Sequence, residues 1–145
     1  MSEEIRSAED AKRWNQQQYA EALRYCQRNQ LSVAEFDKQN SRVLPPVLAV
    51  WKVKLAGKTP QSVWIIGGKV MMDHADASVA TNAREVLQYF SLAWQLKAER
   101  LRQQLEADQH GLLDREAQEK IINTLITKAE SLYELYRDDS LWGDM

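Results

Sequence analysis

Few residues in this chain have a type and spacing suited to chemistry. There is one cysteine, Cys26, and there are two histidines, His74 and His110. A nucleophilic thiol needs a base within hydrogen-bond reach and a third group to orient that base. Cys26 instead falls on the apolar face of a helical pattern, where a free thiol packs as a small hydrophobe. His110 stands beside Gly111 at an expected helix end, where a cation suits the helix dipole. The densest cluster is Asp73-His74-Ala75-Asp76. Two carboxylates and an imidazole could ligate a divalent metal. The spacing matches no metal motif, however, and no second His or Cys cluster completes a set. We expect a solvated turn ahead of a helix, with no metal and no cofactor. Gly67-Gly68-Lys69 has only the outline of a phosphate loop, since the outer glycine and the Ser or Thr after the lysine are missing. Arg84 sits in the first turn of a long helical segment, where a positive charge opposes the dipole. We expect Asp73 or Asp76 to hold it in an ion pair. The alternative is that Arg84 forms half of an anion site.

The elements that must position these residues read as follows. A helix is expected from about Ala8 to Asn29, capped by Ser7, with Trp14, Tyr19, Ala22, Leu23 and Cys26 on one face. Ser32 and Glu35 have capping-box spacing and predict one or two further helical turns. Leu44-Pro45-Pro46 ends that segment and sets an extended entry. Val47 to Leu55 is the clearest strand, with Val47, Ala49, Trp51, Val53 and Leu55 on one face. A turn over Ala56 to Pro60 leads to a return strand from Gln61 to Ile66, which makes an antiparallel hairpin. Trp51 and Trp64 are expected on the same side of it. Lys69 to Met72 is a candidate third strand, and Asp73 to Ala80 reads as a polar loop.

Two long helices complete the chain. The first starts at Asn82, with Glu85 in the capping-box position, and runs to about Glu106. Its apolar stripe is Val86, Leu87, Phe90, Ala93, Trp94, Leu101 and Leu105. The second runs from Asp114 to about Arg137 on Ile121, Ile122, Leu125, Ala129, Leu132, Tyr133 and Tyr136. These two should form an antiparallel pair. Leu141 and Trp142 lie in an acidic tail, where the indole is either tied down or a docking handle. The fold class is α+β: an antiparallel hairpin or three-stranded sheet packed against long amphipathic helices, as a single domain over residues 1–145.

Composition narrows the functional classes. With 145 residues, 44% of them hydrophobic and 28% charged, the chain can support a real core. Its 19 basic and 21 acidic residues give a net charge of −2. That balance argues against nucleic-acid binding, which requires a basic face, and against a polybasic membrane patch. The polar start, MSEEIRSAED, has no apolar signal region, and no apolar run approaches membrane-spanning length. A cytoplasmic location is the expectation.

Several words of the sequence carry a resemblance. They are Ser41-Arg42-Val43-Leu44-Pro45-Pro46 followed by Ala49-Val50-Trp51-Lys52, then Val63-Trp64-Ile65-Ile66-Gly67-Gly68. Ala83-Arg84-Glu85-Val86-Leu87-Gln88-Tyr89-Phe90-Ser91-Leu92 follows with Trp94-Gln95-Leu96 and Ala98-Glu99, and the chain closes with Ala129-Glu130-Ser131-Leu132-Tyr133-Glu134-Leu135-Tyr136 and Leu141-Trp142. In this order, from about residue 41 to 142, the chain resembles a family of small bacterial proteins known as domain of unknown function 4826. The resemblance implies a bacterial, cytoplasmic, single-domain protein with no assigned activity, and it supplies no catalytic residues to carry over.

Two functional readings follow. The first is a noncatalytic protein–protein interaction module, an adaptor or an immunity-type inhibitor, motivated by the lack of a catalytic set and the surplus of Trp and Tyr. Its partner would be another protein, with Leu141 and Trp142 as candidate contacts, and a homo-oligomer is open. The second is a small enzyme or anion- and ligand-binding domain. Its site would lie between residues 67 and 84, built from Asp73, His74, Asp76 and Arg84 at a helix N-terminus.

Overall fold

The computed structural model describes residues 5–143. Three helices and a four-stranded antiparallel sheet make an α+β protein, with elements in the order α1 (Ala8–Arg28), β1 (Val33–Leu44), β2 (Leu48–Leu55), β3 (Gln61–Gly68), β4 (Asp73–Asp76), α2 (Ala83–Glu106) and α3 (Arg115–Tyr136). Short 3-10 turns cover Ala77–Val79 and Asp139–Leu141. The chain divides into two compact units, Met1–Val86 and Leu87–Met145, and the boundary falls inside α2.

In the first unit α1 begins where Ser7 accepts a hydrogen bond from Asp10 N–H at 3.2 Å, and the Asp10 carboxylate accepts from Arg6 N–H at 3.2 Å. Together they satisfy donors that an uncapped helix start would leave unpaired. The buried residues of α1 are Trp14, Gln18, Ala22 and Cys26, a strict i, i+4 row. Tyr19, expected inside, lies at the margin beside Phe36 and Trp51, with ring centroids 4.6 and 5.9 Å away. Gln18 takes the core row instead.

The sheet order is β1-β2-β3-β4, each strand paired with its sequence neighbour. β2 and β3 form the expected hairpin around residues 56–60, in continuous register from Leu48↔Gly68 to Leu55↔Gln61. Ala49, Trp51, Val53, Val63 and Ile65 make one core face together with Trp14, Ala22 and Cys26 of α1. Leu48, Val50, Trp64 and Ile66 alternate to the other face and are equally inaccessible.

Four expectations are corrected here. Trp51 pairs with Ile65, and Trp64 pairs with Lys52, so the two tryptophans occupy opposite faces of the hairpin. Trp64 keeps its N–H satisfied through Ala77 O at 3.2 Å and Ala80 O at 3.3 Å, and the Lys52 ammonium lies over its ring at 5.4 Å. Ser32 and Glu35 start no helix, because residues 33–37 pair with β2 as the opening of a long edge strand. The same strand bulges between Asp37 and Arg42. There the Asp37 carboxylate takes Asn40 N–H, and Ser41 Oγ accepts from Lys52 N–H at 2.9 Å, supplying the acceptor that the ladder lacks. Lys69–Met72 is the connection rather than a third strand, and Asp73–Asp76, expected as loop, is β4. A tight close at the end of the hairpin makes that connection: Lys69 N–H donates to Val47 O at 2.8 Å.

The second unit is a helical pair. Asn82 Oδ1 accepts from Glu85 N–H at 2.9 Å to start α2, and Asp114 Oδ1 accepts from Ala117 N–H at 3.1 Å to start α3. Beyond Val86, α2 buries Leu87, Phe90, Ser91, Trp94, Ala98 and Leu105, and α3 buries Ile122, Leu125, Ala129 and Leu132. Ser91 Oγ donates to Ala129 O at 2.8 Å, so the one buried hydroxyl of α2 is paired across to α3. Ile121 and Tyr133, expected inside, are exposed. In the connection between the helices the Asp108 carboxylate accepts from Leu112 and Leu113 N–H, each at 2.9 Å, which holds it below the usual carboxylate range.

Gly68 fixes how closely β3 approaches β2. Its φ is +108°, and a Cβ there would lie 2.7 Å from both Leu48 Cα and Val47 O. Both neighbours are backbone and cannot give way. Gly68→Ala is therefore expected to cost about 3 kcal/mol in urea denaturation, combining backbone strain with a displaced hairpin end. Gly111 also has positive φ (+63°), but its added Cβ would meet nothing within 4 Å. Gly111→Ala should cost only about 1 kcal/mol, and equal losses at the two positions would contradict the close-approach account.

Candidate functional site

β4 carries the residues that chemistry would use, and the sheet decides where they point. Asp73 pairs with Ile66, His74 with Ile65, Ala75 with Trp64 and Asp76 with Val63. Alternation along the strand puts His74 and Asp76 on the α1 side and Asp73 on the other. The cluster expected as one loop is therefore split between two faces. Asp73 Oδ1 accepts from His74 N–H at 2.8 Å, and Asp76 Oδ2 accepts from Ser78 N–H at 2.9 Å. The Ser78 hydroxyl first, and then this N–H, hold the Asp76 carboxyl below its ordinary range. Arg84 is half-buried in the first turn of α2. Among the described residues, no group of three or more His, Cys, Asp or Glu side chains is arranged to hold a metal ion.

His74 meets a partner that sequence reasoning missed. Tyr25, in the last turn of α1, places its hydroxyl 2.7 Å from His74 Nδ1, with the rings edge to face at 5.5 Å. Burial first, and then the charge of Asp73, push the Tyr25 phenol up to about 12. A phenol so placed keeps its proton, and its hydroxyl and the His74 Nδ1 share one hydrogen bond whose direction follows the imidazole tautomer. The two residues are 49 apart in sequence, and no local pattern links them. The pair orients His74, but no described hydrogen bond or ion pair brings a nucleophile or carboxylate onto the ring.

The remaining candidates are placed as follows. Cys26 is buried, and burial pushes its thiol up, away from the thiolate that nucleophilic or ligand chemistry requires. It borders a cleft lined by Leu23, Gln27, Gln30, Leu31, Ser32 and Val33, a wall without a charged group. His110 is exposed in the connection after α2, beyond the helix end at Glu106 rather than at it. Gly67 and Gly68 end β3 in register with Ala49 and Leu48, as part of the strand ladder. Trp142 is fully buried, its indole N–H donating to Leu135 O at 2.9 Å, and Leu141 is half-buried.

A row of exposed apolar residues lies on α2. Leu92 and Leu96 are 59% and 56% exposed, and Tyr89 is 37% exposed. At about 100° per residue, these three point roughly opposite to Phe90, Trp94 and Ala98, the buried side of the same helix. Their i, i+3, i+7 spacing was available in the sequence. It was hidden because the inward stripe already accounted for an amphipathic helix.

The Tyr25–His74 bond predicts a specific pH dependence. A phenol whose folded pKa exceeds its ordinary 10.0 contributes stability that is complete below pH 10 and is lost as pH rises through about 12. Tyr25→Phe should cost about 1 kcal/mol at neutral pH. The gap between wild type and variant, measured by chemical denaturation, should narrow from pH 10 upward. A gap that stays constant to pH 12 would mean that the phenol is not held in its neutral form.

No curated protein and no solved structure matches the chain, and no helix among the described residues is long and apolar enough to cross a membrane. A family model does match it, over residues 8–142, nearly the whole chain and well beyond the segment from 41 onward that carries the resemblance in sequence. The chain belongs to the family described as Domain of unknown function (DUF4826).

Proposed function

We propose that this protein acts as a noncatalytic protein-binding module, an adaptor or an inhibitor of the immunity type, in a bacterial cytoplasm. The observation that carries this reading is the outward face of α2. Leu92 and Leu96 are each more than half exposed on a regular helix, with Tyr89 one turn before them. Scattered exposed leucines are ordinary, but an aligned apolar stripe opposite a helix's buried side is the form that a partner-binding face takes. The chemistry of the rest of the surface agrees. Asp73 and Asp76, the carboxylates nearest His74 in sequence, have oxygens engaged by backbone N–H groups, and the one thiol is buried. The alternative, a ligand or enzyme site around His74, has only the Tyr25–His74 bond in its favour.

The test is the double variant Leu92→Glu, Leu96→Glu. Both positions face solvent, so the substitutions should change stability by no more than about 0.5 kcal/mol each. In-cell crosslinking followed by affinity capture should recover a partner with the wild type and lose it with the variant, while far-UV circular dichroism stays unchanged. Equal recovery by both proteins, or recovery by neither, would count against the reading.

A further inference from the structure

We infer that the outward stripe of α2 is self-complementary and receives a second copy of this chain, antiparallel, in a two-fold dimer. This rests on the protein-binding reading above and names its partner. The stripe continues past Leu96 to Glu99, so its positions are Tyr89, Leu92, Leu96 and Glu99. Their spacing of three, four and three residues is that of a coiled-coil seam. It is also the same read in either direction. A two-fold axis crossing α2 midway between Leu92 and Leu96 sets Leu92 against Leu96 of the second copy, twice. It sets Tyr89 level with Glu99 of the second copy, also twice. A closed pair of this kind uses one surface patch on both partners.

Charge decides the direction. In the antiparallel arrangement the Tyr89 hydroxyl faces a carboxylate that can accept from it, and Arg100, exposed beside Glu99, comes level with Gln88, the residue next to Tyr89. Glu99 is oriented already, since Arg102 of its own helix lies 3.7 Å from Glu99 Oε2. In a parallel arrangement Glu99 would meet Glu99 and Arg100 would meet Arg100, and the helix dipoles would also align unfavourably. The stripe covers three turns, so the interface is small and the dimer is of the weak, concentration-dependent kind.

Sedimentation equilibrium of the whole chain up to about 100 µM, a range suited to small interfaces, should show the mean mass rising from 16.8 kDa toward twice that value. Leu92→Glu, Leu96→Glu should hold it at the monomer mass. Direction is read separately by oxidative crosslinking, for which the buried Cys26 leaves a clean background. Tyr89→Cys mixed with Glu99→Cys should form a mixed disulfide dimer several-fold more efficiently than either variant alone. Tyr89→Cys crosslinking to itself as well as to Glu99→Cys would overturn the antiparallel arrangement. A wild type that stays monomeric but retains another protein on the stripe would overturn the dimer and leave the protein-binding reading standing. A monomer with no stripe-dependent partner would remove both.

Discussion

The structure of the first unit depends on one pairing, β2 against β3. From Leu48 to Val53 of β2 and from Val63 to Ile66 of β3, every side chain except Lys52 is buried. Such strands carry no solvent face to define which side is in, so neither edge nor register could be set by amphipathicity alone. Register is set at the ends. The 56–60 turn fixes one end, and the approach of Gly68 to the Leu48 backbone fixes the other. A one-residue slip of β3 against β2 would carry Trp64 to the face that Trp51 occupies. It would strip the Trp64 N–H of its two carbonyl acceptors, Ala77 and Ala80, and leave a buried donor unpaired. The hairpin is thus specified by packing and by that indole together.

How far the sequence reveals this depends on whether the signal is local. The alternation of Ala49, Trp51, Val53 and Leu55 is local, and so are the caps at Ser7, Asn82 and Asp114; all appear where expected. β1 was not legible, because Ser32 and Glu35 imitate a capping box and the strand is polar through its middle. Its extended form is imposed by β2, with Ser41 standing in for the ladder across the bulge. β4 was hidden for the same reason: Asp-His-Ala-Asp has no strand propensity and is extended because β3 offers it a partner. The face of Trp64 could not be read without the register, which is a property of two strands and not of one.

The candidate sites divide in the same way. Asp73, His74 and Asp76 were visible as a dense word, but density in sequence is not convergence in space when the word becomes a strand. The partner that does orient His74, Tyr25, comes from α1 and is a tertiary fact. The stripe of Tyr89, Leu92 and Leu96 is the reverse case. Its spacing was plain, yet one helix was credited with one apolar face. Only the exposure of Leu92 and Leu96, opposite the buried Phe90, Trp94 and Ala98, shows that α2 has a second.

Eight of the chain's 21 acidic side chains are used to finish its secondary structure. Asp10, Asp37, Asp73, Asp76, Glu85, Asp108, Asp114 and Asp138 each accept a hydrogen bond from a backbone N–H at a helix start, a bulge, a strand end or a loop. Five of these carboxyls lie below the ordinary range: at Asp10, Asp37, Asp76 and Glu85 the side chains of Arg13, Asn40, Ser78 and Thr81 do most of the lowering and backbone N–H groups add to it, and at Asp108 the N–H groups of Leu113 and Leu112 do it. General acid or base work needs the opposite, a carboxyl raised toward neutrality by burial or by a like charge. Acids used to finish secondary structure make the fold well terminated. Apolar surface is left to the outward face of α2, where Tyr89, Leu92 and Leu96 stand exposed.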